Sequence, residues 1–328
     1  MMSSCSVEAL PEKLKTEVVL TYDNEEYDFR SIIEEIVGYS DLENLHKTAE
    51  GMAILRQINA GGKAPVSSRN AFNKKWRHAM CGVKGCDKEG PESPYQKMKA
   101  LVARFCAEVC APSLGCGSVV HQVIPTFRCH TPGTGKSLGS QHTDAQYHHQ
   151  PAEVNFWLPV TSCYGTNSLW SESEVGKGDF HPFVATNGQV VRFYGNQCEH
   201  YTVANEEEVT RVSLDFRVIP ARCYVPNYLS EELLSKGRRV SSYELGGWYA
   251  FASQPGLDDP GLEWMRDACR TSRAQRDHIE GVELIDGHSE PNRELKVCRG
   301  NEEELSSSEG EGAAAALPLA AFGFEDDY

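Results

Sequence analysis

Gln141-His142-Thr143-Asp144-Ala145-Gln146-Tyr147 is the stretch on which the reading of this chain turns. His142 and Asp144 lie two residues apart, so on extended backbone both side chains leave one face and can hold a cation from adjacent sides. A third donor, His200, follows within Cys198-Glu199-His200-Tyr201-Thr202, after the strand-like run Gly188-Gln189-Val190-Val191-Arg192-Phe193-Tyr194. Two imidazoles and a carboxylate occupy one side of a metal ion and leave positions open on the other.

The second half of the signal is Thr210-Arg211-Val212-Ser213-Leu214-Asp215-Phe216-Arg217-Val218-Ile219-Pro220. Its alternation puts Arg211 and Ser213 on one face and Val212, Leu214, Phe216 and Val218 on the other. A guanidinium fork and a hydroxyl side by side can receive one carboxylate together. Taken singly, these residues have ordinary explanations: a polar surface turn, a loop histidine, a strand-edge arginine. All five in this order resemble the motif of the 2-oxoglutarate/Fe(II)-dependent dioxygenases, which runs His-x-Asp, a distal His, then Arg-x-Ser about one strand later. The wider text Gln146-Tyr147-His148-His149, Glu153 to Pro159 and Asn167 to Glu172 is similar to one branch of that superfamily, the StrG-like family named for a protein of streptomycin biosynthesis. The likeness covers about residues 115–221.

The resemblance implies Fe(II) held by His142, Asp144 and His200 as the catalytic centre, with 2-oxoglutarate gripped at its far carboxylate by Arg211 and Ser213. It implies O₂ as oxidant, ascorbate as a reductant, and release of succinate and CO₂ as a C–H bond is hydroxylated or desaturated. Related halogenases replace the carboxylate ligand with a small residue, so Asp144 disfavours halogenation. A peptide hydroxylase would use the same core, and a cupin-type metal enzyme without 2-oxoglutarate would share the barrel. The latter has no reason to keep Arg211 and Ser213 eleven and thirteen residues beyond His200.

With 328 residues the chain has ample material for a core. A net charge of −15 excludes the basic surface that nucleic-acid binding needs. Part of that charge is local, because residues 301–328 carry acids and neither Lys nor Arg. The twelve cysteines have no disulfide-framework spacing, and Met1 to Glu8 has neither a charged nor an apolar leader region, so they read as cytosolic thiols and the protein as cytoplasmic. Cys81, Cys86, Cys106, Cys110 and Cys116 are too loosely spaced for a zinc knuckle. No apolar run is long enough to span a bilayer. A small-molecule substrate is expected, with no nucleic acid, no membrane and no obligate protein partner.

Residues 1–111 read as a helical region packed on the core. Tyr27 to Val37 carries an amphipathic stripe of Phe29, Ile32, Ile33, Ile36 and Val37. Leu42 to Ile58 continues in helix, with Leu45, Ala49, Met52, Ala53 and Leu55 inward, until Gly61 to Pro65 breaks it. Ser67 to Met80 is basic and predicts a short helix, and Gly82 to Glu92 a loop. Ser93 as cap and Pro94 at the first helical position open a helix to Cys110, with Met98, Leu101, Val102, Phe105 and Val109 inward.

From Gly117 the period changes to two. Ser118 to Arg128 reads as the first core strand, and Glu153 to Val160 sets Val154, Phe156, Leu158 and Val160 against Glu153, Asn155 and Trp157. Short strands broken by glycines predict a mainly β fold with flanking α-helices: a double-stranded β-helix, the cupin-like jelly roll, over residues 112–225. His-x-Asp then lies on one sheet and His200 on the other. The polar row Gln122, Glu153 and Asn155, with Arg128 nearby, points to a small polar substrate, and Arg128, Tyr147, Asn155 and Trp157 are candidates for touching it. Of Tyr147, His148 and His149 at least one should be exposed. The Gly-rich Cys129 to Ser140 is placed to close over substrate. Residues 226–296, including helices within Ser230 to Lys236 and Asp258 to Arg276, form a helical and irregular cap. Residues 297–328 form a disordered acidic tail.

Overall fold

Alternation along one strand divides this molecule into two layers. The computed structural model describes residues 7–59, 72, 75, 76, 80, 92–235, 238–240, 243–257, 259–270 and 283–285. In chain order the strands are β1 (Val18–Thr21), β2 (Ser118–Gln122), β3 (Thr126–His130), β4 (Val154–Pro159), β5 (Trp170–Ser171) and β6 (His181–Pro182). They continue as β7 (Gln189–Phe193), β8 (His200–Tyr201), β9 (Arg211–Pro220), β10 (Arg238–Val240), β11 (Tyr249–Ser253) and β12 (Glu283–Ile285). The helices are α1 (Phe29–Val37), α2 (Ala49–Asn59), α3 (Pro94–Phe105), α4 (Glu231–Ser235) and α5 (Glu263–Arg270).

The main sheet is antiparallel, ordered β1-β7-β4-β9-β2-β11, with β3 also paired to β9. A minor antiparallel sheet is ordered β6-β5-β8, and β10 pairs with β12 in parallel. On one face of the main sheet Val212, Leu214, Phe216 and Val218 join Val154, Phe156, Leu158 and Val190 in the large apolar core. Phe156 lies parallel to Phe216 at 5.9 Å, and Phe105 of α3 meets Phe216 edge-on at 6.3 Å. Tyr22, Tyr27 and Phe29 pack edge-on around Phe105, which fastens the N-terminal segment to the helix and the sheet. The opposite face carries Trp157, Val191 and Phe193, which join Cys163, Phe183 and Ala185 in a second, smaller cluster beneath the minor sheet.

Local chemistry starts and stops the helices. Asp28 accepts from Ser31 N at the head of α1, and Gly38 closes it in the left-handed region at φ 77°. Ser93 caps α3 by accepting from Gln96 N, and Pro94 takes the first helical position. After Phe105 the chain widens into a π-helical turn, Cys106–Cys110, with Cys106 and Cys110 both buried.

Several expectations change. Leu42 to Ile58 is not one helix: a 3₁₀ segment, Leu42–Lys47, ends at Thr48, whose extended backbone (φ −115°, ψ 153°) separates it from α2. Thr48 Oγ1 accepts from Gly51 N at 2.9 Å, as helix caps do. The restart rotates the buried face to Gly51, Leu55 and Ile58, leaving Ala49, Met52 and Ala53 exposed. The N-terminal region also contributes β1, an edge strand of the main sheet. Ser118 to Arg128 is two strands, because the chain turns at Val123 to Pro125, where proline has no N–H to give a ladder. Beyond Pro220, β11 adds another edge strand, pairing with β2.

Of the expected Ser67 to Met80 helix only Phe72, Lys75, Trp76 and Met80 are described, all helical; buried Trp76 donates to Pro125 O at 2.9 Å. Nearly all of the Gly82 to Glu92 loop, and the 297–328 tail, lie outside the described residues. Among those described, no helix is long and apolar enough to cross a membrane.

Candidate metal centre and its cavity

The strand pairing itself brings the two histidines together. His142 and His200 form an antiparallel bridge, with His200 N donating to His142 O at 2.9 Å and His142 N to His200 O at 3.2 Å. Both imidazoles therefore stand at the edge of the minor sheet, and not on opposite sheets as the sequence reading placed them. Thr143 is extended and opens a 3₁₀ turn, Asp144–Tyr147, which swings Asp144 toward the rings. Asp144 N donates to Gly195 O at 2.9 Å and Ala145 N to Asn196 O at 3.1 Å, fixing this turn to the chain leaving β7. The ring centroids of His142 and His200 are 4.3 Å apart. One donor atom from each of His142, Asp144 and His200 lies within 4.8 Å of the others, the one such cluster among the described residues.

The tautomers follow from the hydrogen bonds. His142 Nδ1 faces Ser140 O at 2.7 Å and His200 Nδ1 faces Cys198 O at 3.0 Å. A carbonyl only accepts, so each Nδ1 carries a proton and each Nε2 is the ring nitrogen left for a metal. Burial, reinforced by His200, pushes the His142 pKa well down and keeps that ring neutral. Burial opposes ionisation of Asp144, but the Arg217 guanidinium beside it prevails and holds the carboxyl well below the usual range. The contact is a fork: Arg217 Nη2 donates to Asp144 Oδ1 at 2.8 Å and Nε to Oδ2 at 3.0 Å. Asn155 Nδ2 donates to Oδ2 at 2.6 Å.

Facing the donors is a cavity walled by Arg128, Asn155, Trp157, Arg211, Asp215 and Arg217 from the main sheet. Leu138, Gly139, Tyr201 and Thr202 form its other side. Arg211 is 1% exposed, lies over the Trp157 ring at 5.9 Å, and gives Nη1 to Asn167 O at 3.2 Å. Burial lowers its pKa to about 10. Its Nε and the Ser213 hydroxyl, both buried, have no partner among the described residues. Buried donors are rarely left so, and a neighbouring pair asks for one anionic acceptor. The residues present thus fit both a divalent metal and a carboxylate ligand.

The remaining candidates are distributed unevenly. Arg128 lines the cavity and meets Asp215 Oδ2 at 3.5 Å. Asn155 and Trp157 also line it, the first bound to Asp144 and the second beneath Arg211. Tyr147 is outside the wall: its ring packs edge-on against His142 at 5.5 Å. Glu153 and Gln122 are outside it too. Glu153 binds His149 and receives Tyr249 OH, while Gln122 Oε1 accepts from Arg217 Nη1 at 3.3 Å. Tyr147, His148 and His149 are all buried, and the segment after Pro220 covers the two histidines: His148 Nδ1 meets Ser230 Oγ at 3.0 Å, and His149 Nε2 meets Tyr243 OH at 2.9 Å. Cys129 to Ser140 reaches the cavity at Leu138 and Gly139, whose N–H groups both donate to Thr202 Oγ1.

Sequence reasoning missed Arg217. The signal was present in the alternation, since residues 211, 213, 215 and 217 share a face; what one dimension hid was that Asp144 lies opposite its far end.

A mainly β molecule with two imidazoles and a carboxylate over a polar cavity defines the class to which comparison applies. No protein-family model matches the chain. It is 42% identical over 110 residues to the streptomycin biosynthesis protein StrG of Streptomyces griseus, a match covering 34% of this chain and 51% of that protein. The match thus spans about half the length of the curated relative. Among solved structures the chain is similar to the apo form of ThoJ, a non-heme monooxygenase (12% identity, TM-score 0.42, 82% of this chain and 97% of that one). It is also similar to CytC3 with Fe(II) and alpha-ketoglutarate (15% identity, TM-score 0.42, 85% and 100%). A third is SnoK, a non-heme alpha ketoglutarate dependent carbocyclase from nogalamycin biosynthesis (11% identity, TM-score 0.33, 82% and 90%).

Proposed function

We propose that this protein is an Fe(II)/2-oxoglutarate-dependent oxygenase built on a double-stranded β-helix, hydroxylating or desaturating a small polar metabolite. The observation that carries the reading is the pair on β9, Arg211 Nε and Ser213 Oγ, both buried and without a partner among the described residues, with Arg211 in the wall of a cavity that His142 and His200 also line. A dicarboxylate with a 2-oxo acid at one end satisfies both sides at once. Iron, when bound, supplies the oxidising chemistry.

The chain's own residues do the rest. His142 and His200 turn their Nε2 atoms to the metal position, with each Nδ1 held by Ser140 O and Cys198 O, and Asp144 offers a carboxylate kept ionised by Arg217. Arg211 and Ser213 receive the far carboxylate of 2-oxoglutarate, with Trp157 supporting the guanidinium plane. Leu138, Leu169, Trp157 and Phe193 exclude water from the cavity. Asn155 Oδ1, buried in that wall without a donor among the described residues, supports a substrate carrying N–H or O–H groups. Arg128 and Asp215 offer it charges of both signs. Presence of Asp144 favours hydroxylation over halide transfer.

The test is the visible spectrum of anaerobic protein titrated with Fe(II) and 2-oxoglutarate, beside Asp144→Ala and Arg211→Ala. A weak charge-transfer band in the wild type, lost in the first variant and requiring far more cosubstrate in the second, is expected. Iron binding without any band refutes the cosubstrate, and no iron binding refutes the class.

A further inference from the structure

Asp144 holds more hydrogen bonds than a carboxylate needs in order to stay ionised. Ionised, it has about four lone-pair directions, two on each oxygen. Oδ2 accepts from Arg217 Nε at 3.0 Å and from Asn155 Nδ2 at 2.6 Å, which fills it. Oδ1 accepts from Arg217 Nη2 at 2.8 Å, which leaves one direction, and Oδ1 is the oxygen 3.9 Å from His200 Nε2. The donors are themselves fixed. Arg217 Nη1 is tied to Gln122 Oε1 and to Asp215 Oδ1, both at 3.3 Å, so the guanidinium plane cannot turn. Asn155 has only one sensible orientation, because its neighbour Asp144 is purely an acceptor. The arginine is 6% exposed and the aspartate 1%, so water does not compete for either partner.

We propose that Arg217 and Asn155 are positioning residues that make Asp144 a one-point metal ligand and so keep open a position that a chelating carboxylate would fill. The inference rests on the metal reading of His142, Asp144 and His200. Its logic is competition for lone pairs. A carboxylate beside a divalent ion can bind through one oxygen or both, and the second mode costs the centre one exchangeable position. Here the second mode requires breaking a charge-assisted bond to Arg217 or the bond to Asn155 inside a buried site. Arg217 also places a positive charge beside the ligand, which opposes metal binding, so the arrangement sacrifices affinity for vacancy.

Mn(II) tests this without turnover. Water-proton relaxation by the bound ion reports how many exchangeable waters it carries, and equilibrium titration reports its affinity. Three protein donors on a six-coordinate ion leave about three waters, and a chelating Asp144 leaves about two. Wild type, Arg217→Lys, Asn155→Leu and Asp144→Ala are compared at one Mn(II) per chain. Arg217→Lys keeps the charge and loses the fork; Asn155→Leu keeps the volume and frees one of the two lone pairs of Oδ2. Expected are Mn(II) affinities at or above wild type for both positioning variants, with the relaxation enhancement falling to about two thirds. Unchanged enhancement at full occupancy overturns the proposal. So does loss of Mn(II) by a variant of unaltered circular dichroism, because Arg217 and Asn155 would then merely place Asp144. If Arg217→Lys fails to fold, Asn155→Leu carries the same prediction alone. Failure of the wild type to bind Mn(II), or binding undiminished in Asp144→Ala, overturns the metal reading itself and is distinguishable from either result.

Discussion

Arg211 is a cation that the fold buries before it has an anion to hold. It is fully enclosed, its Nε has no partner among the described residues, and its charge is balanced at a distance. Arg211→Lys keeps the charge but replaces a planar fork by a point donor, and a charge-assisted bond is worth about 1.5–3 kcal/mol. The affinity for 2-oxoglutarate is therefore expected to fall roughly 10- to 100-fold, read by anaerobic titration of the Fe(II) protein, with metal affinity unchanged. Asp144 is the converse case. Removing one partner of a buried pair leaves the other desolvated, so Asp144→Ala should cost the metal-free protein about 3–5 kcal/mol in urea unfolding. Adding Arg217→Met should recover part of that loss, since the stranded charge goes too; costs that simply add would show the pair to be uncoupled. Of the candidate site, the order and spacing of His142, Asp144, His200, Arg211 and Ser213 were legible in the sequence, and the structure brings the first three together. Arg217 was not legible, because its role depends on what lies across the cavity, which spacing along one strand does not encode.

At the scale of elements, boundaries set by local chemistry were readable and breaks set by packing were not. Ser93 and Pro94 announce their helix in the sequence and hold those places in the structure. Thr48 carries a cap signal equally well, yet the apolar residues on both sides read as one stripe and masked it. The reason for the break is steric. A methyl group at Gly51 would stand 2.1 Å from the Leu45 carbonyl oxygen, so only glycine lets α2 fold back on the 3₁₀ turn. By propensity alone Gly→Ala inside a helix gains about 1 kcal/mol. Here Gly51→Ala should destabilise instead, by about 1–3 kcal/mol as overpacking does, measured as a lower urea midpoint. A raised midpoint would mean that the approach of α2 to Leu45 is not essential. The edge strands β1 and β11 were hidden for a different reason: both are short, and both lie among helical stretches in the chain.

The whole molecule divides its site between two sheets of unequal strength. The main sheet supplies Asn155, Arg211, Ser213 and Arg217 from β4 and β9, which pair over six residues and are packed on both faces. The minor sheet supplies His200, with His142 bridged to it, from strands only two residues long. Few ladder bonds hold that sheet, so its local opening should need less free energy than global unfolding. A metal ion bound by His142, Asp144 and His200 would join the weak layer to the strong one through the Asp144–Arg217 fork. Ligation stabilises only the closed form, by about 2.7 kcal/mol at a hundredfold excess over the dissociation constant. Zn(II), which needs no oxygen exclusion, should therefore slow amide hydrogen exchange most in residues 142–147, 170–171 and 198–202. Exchange in β4 and β9, limited already by global unfolding, should slow by no more than the shift in overall stability. Chelation with EDTA should reverse the effect. Uniform protection across both sheets would show that they open as one unit, and the minor sheet would then owe its order to the apolar cluster of Trp157, Phe183 and Phe193 rather than to the metal.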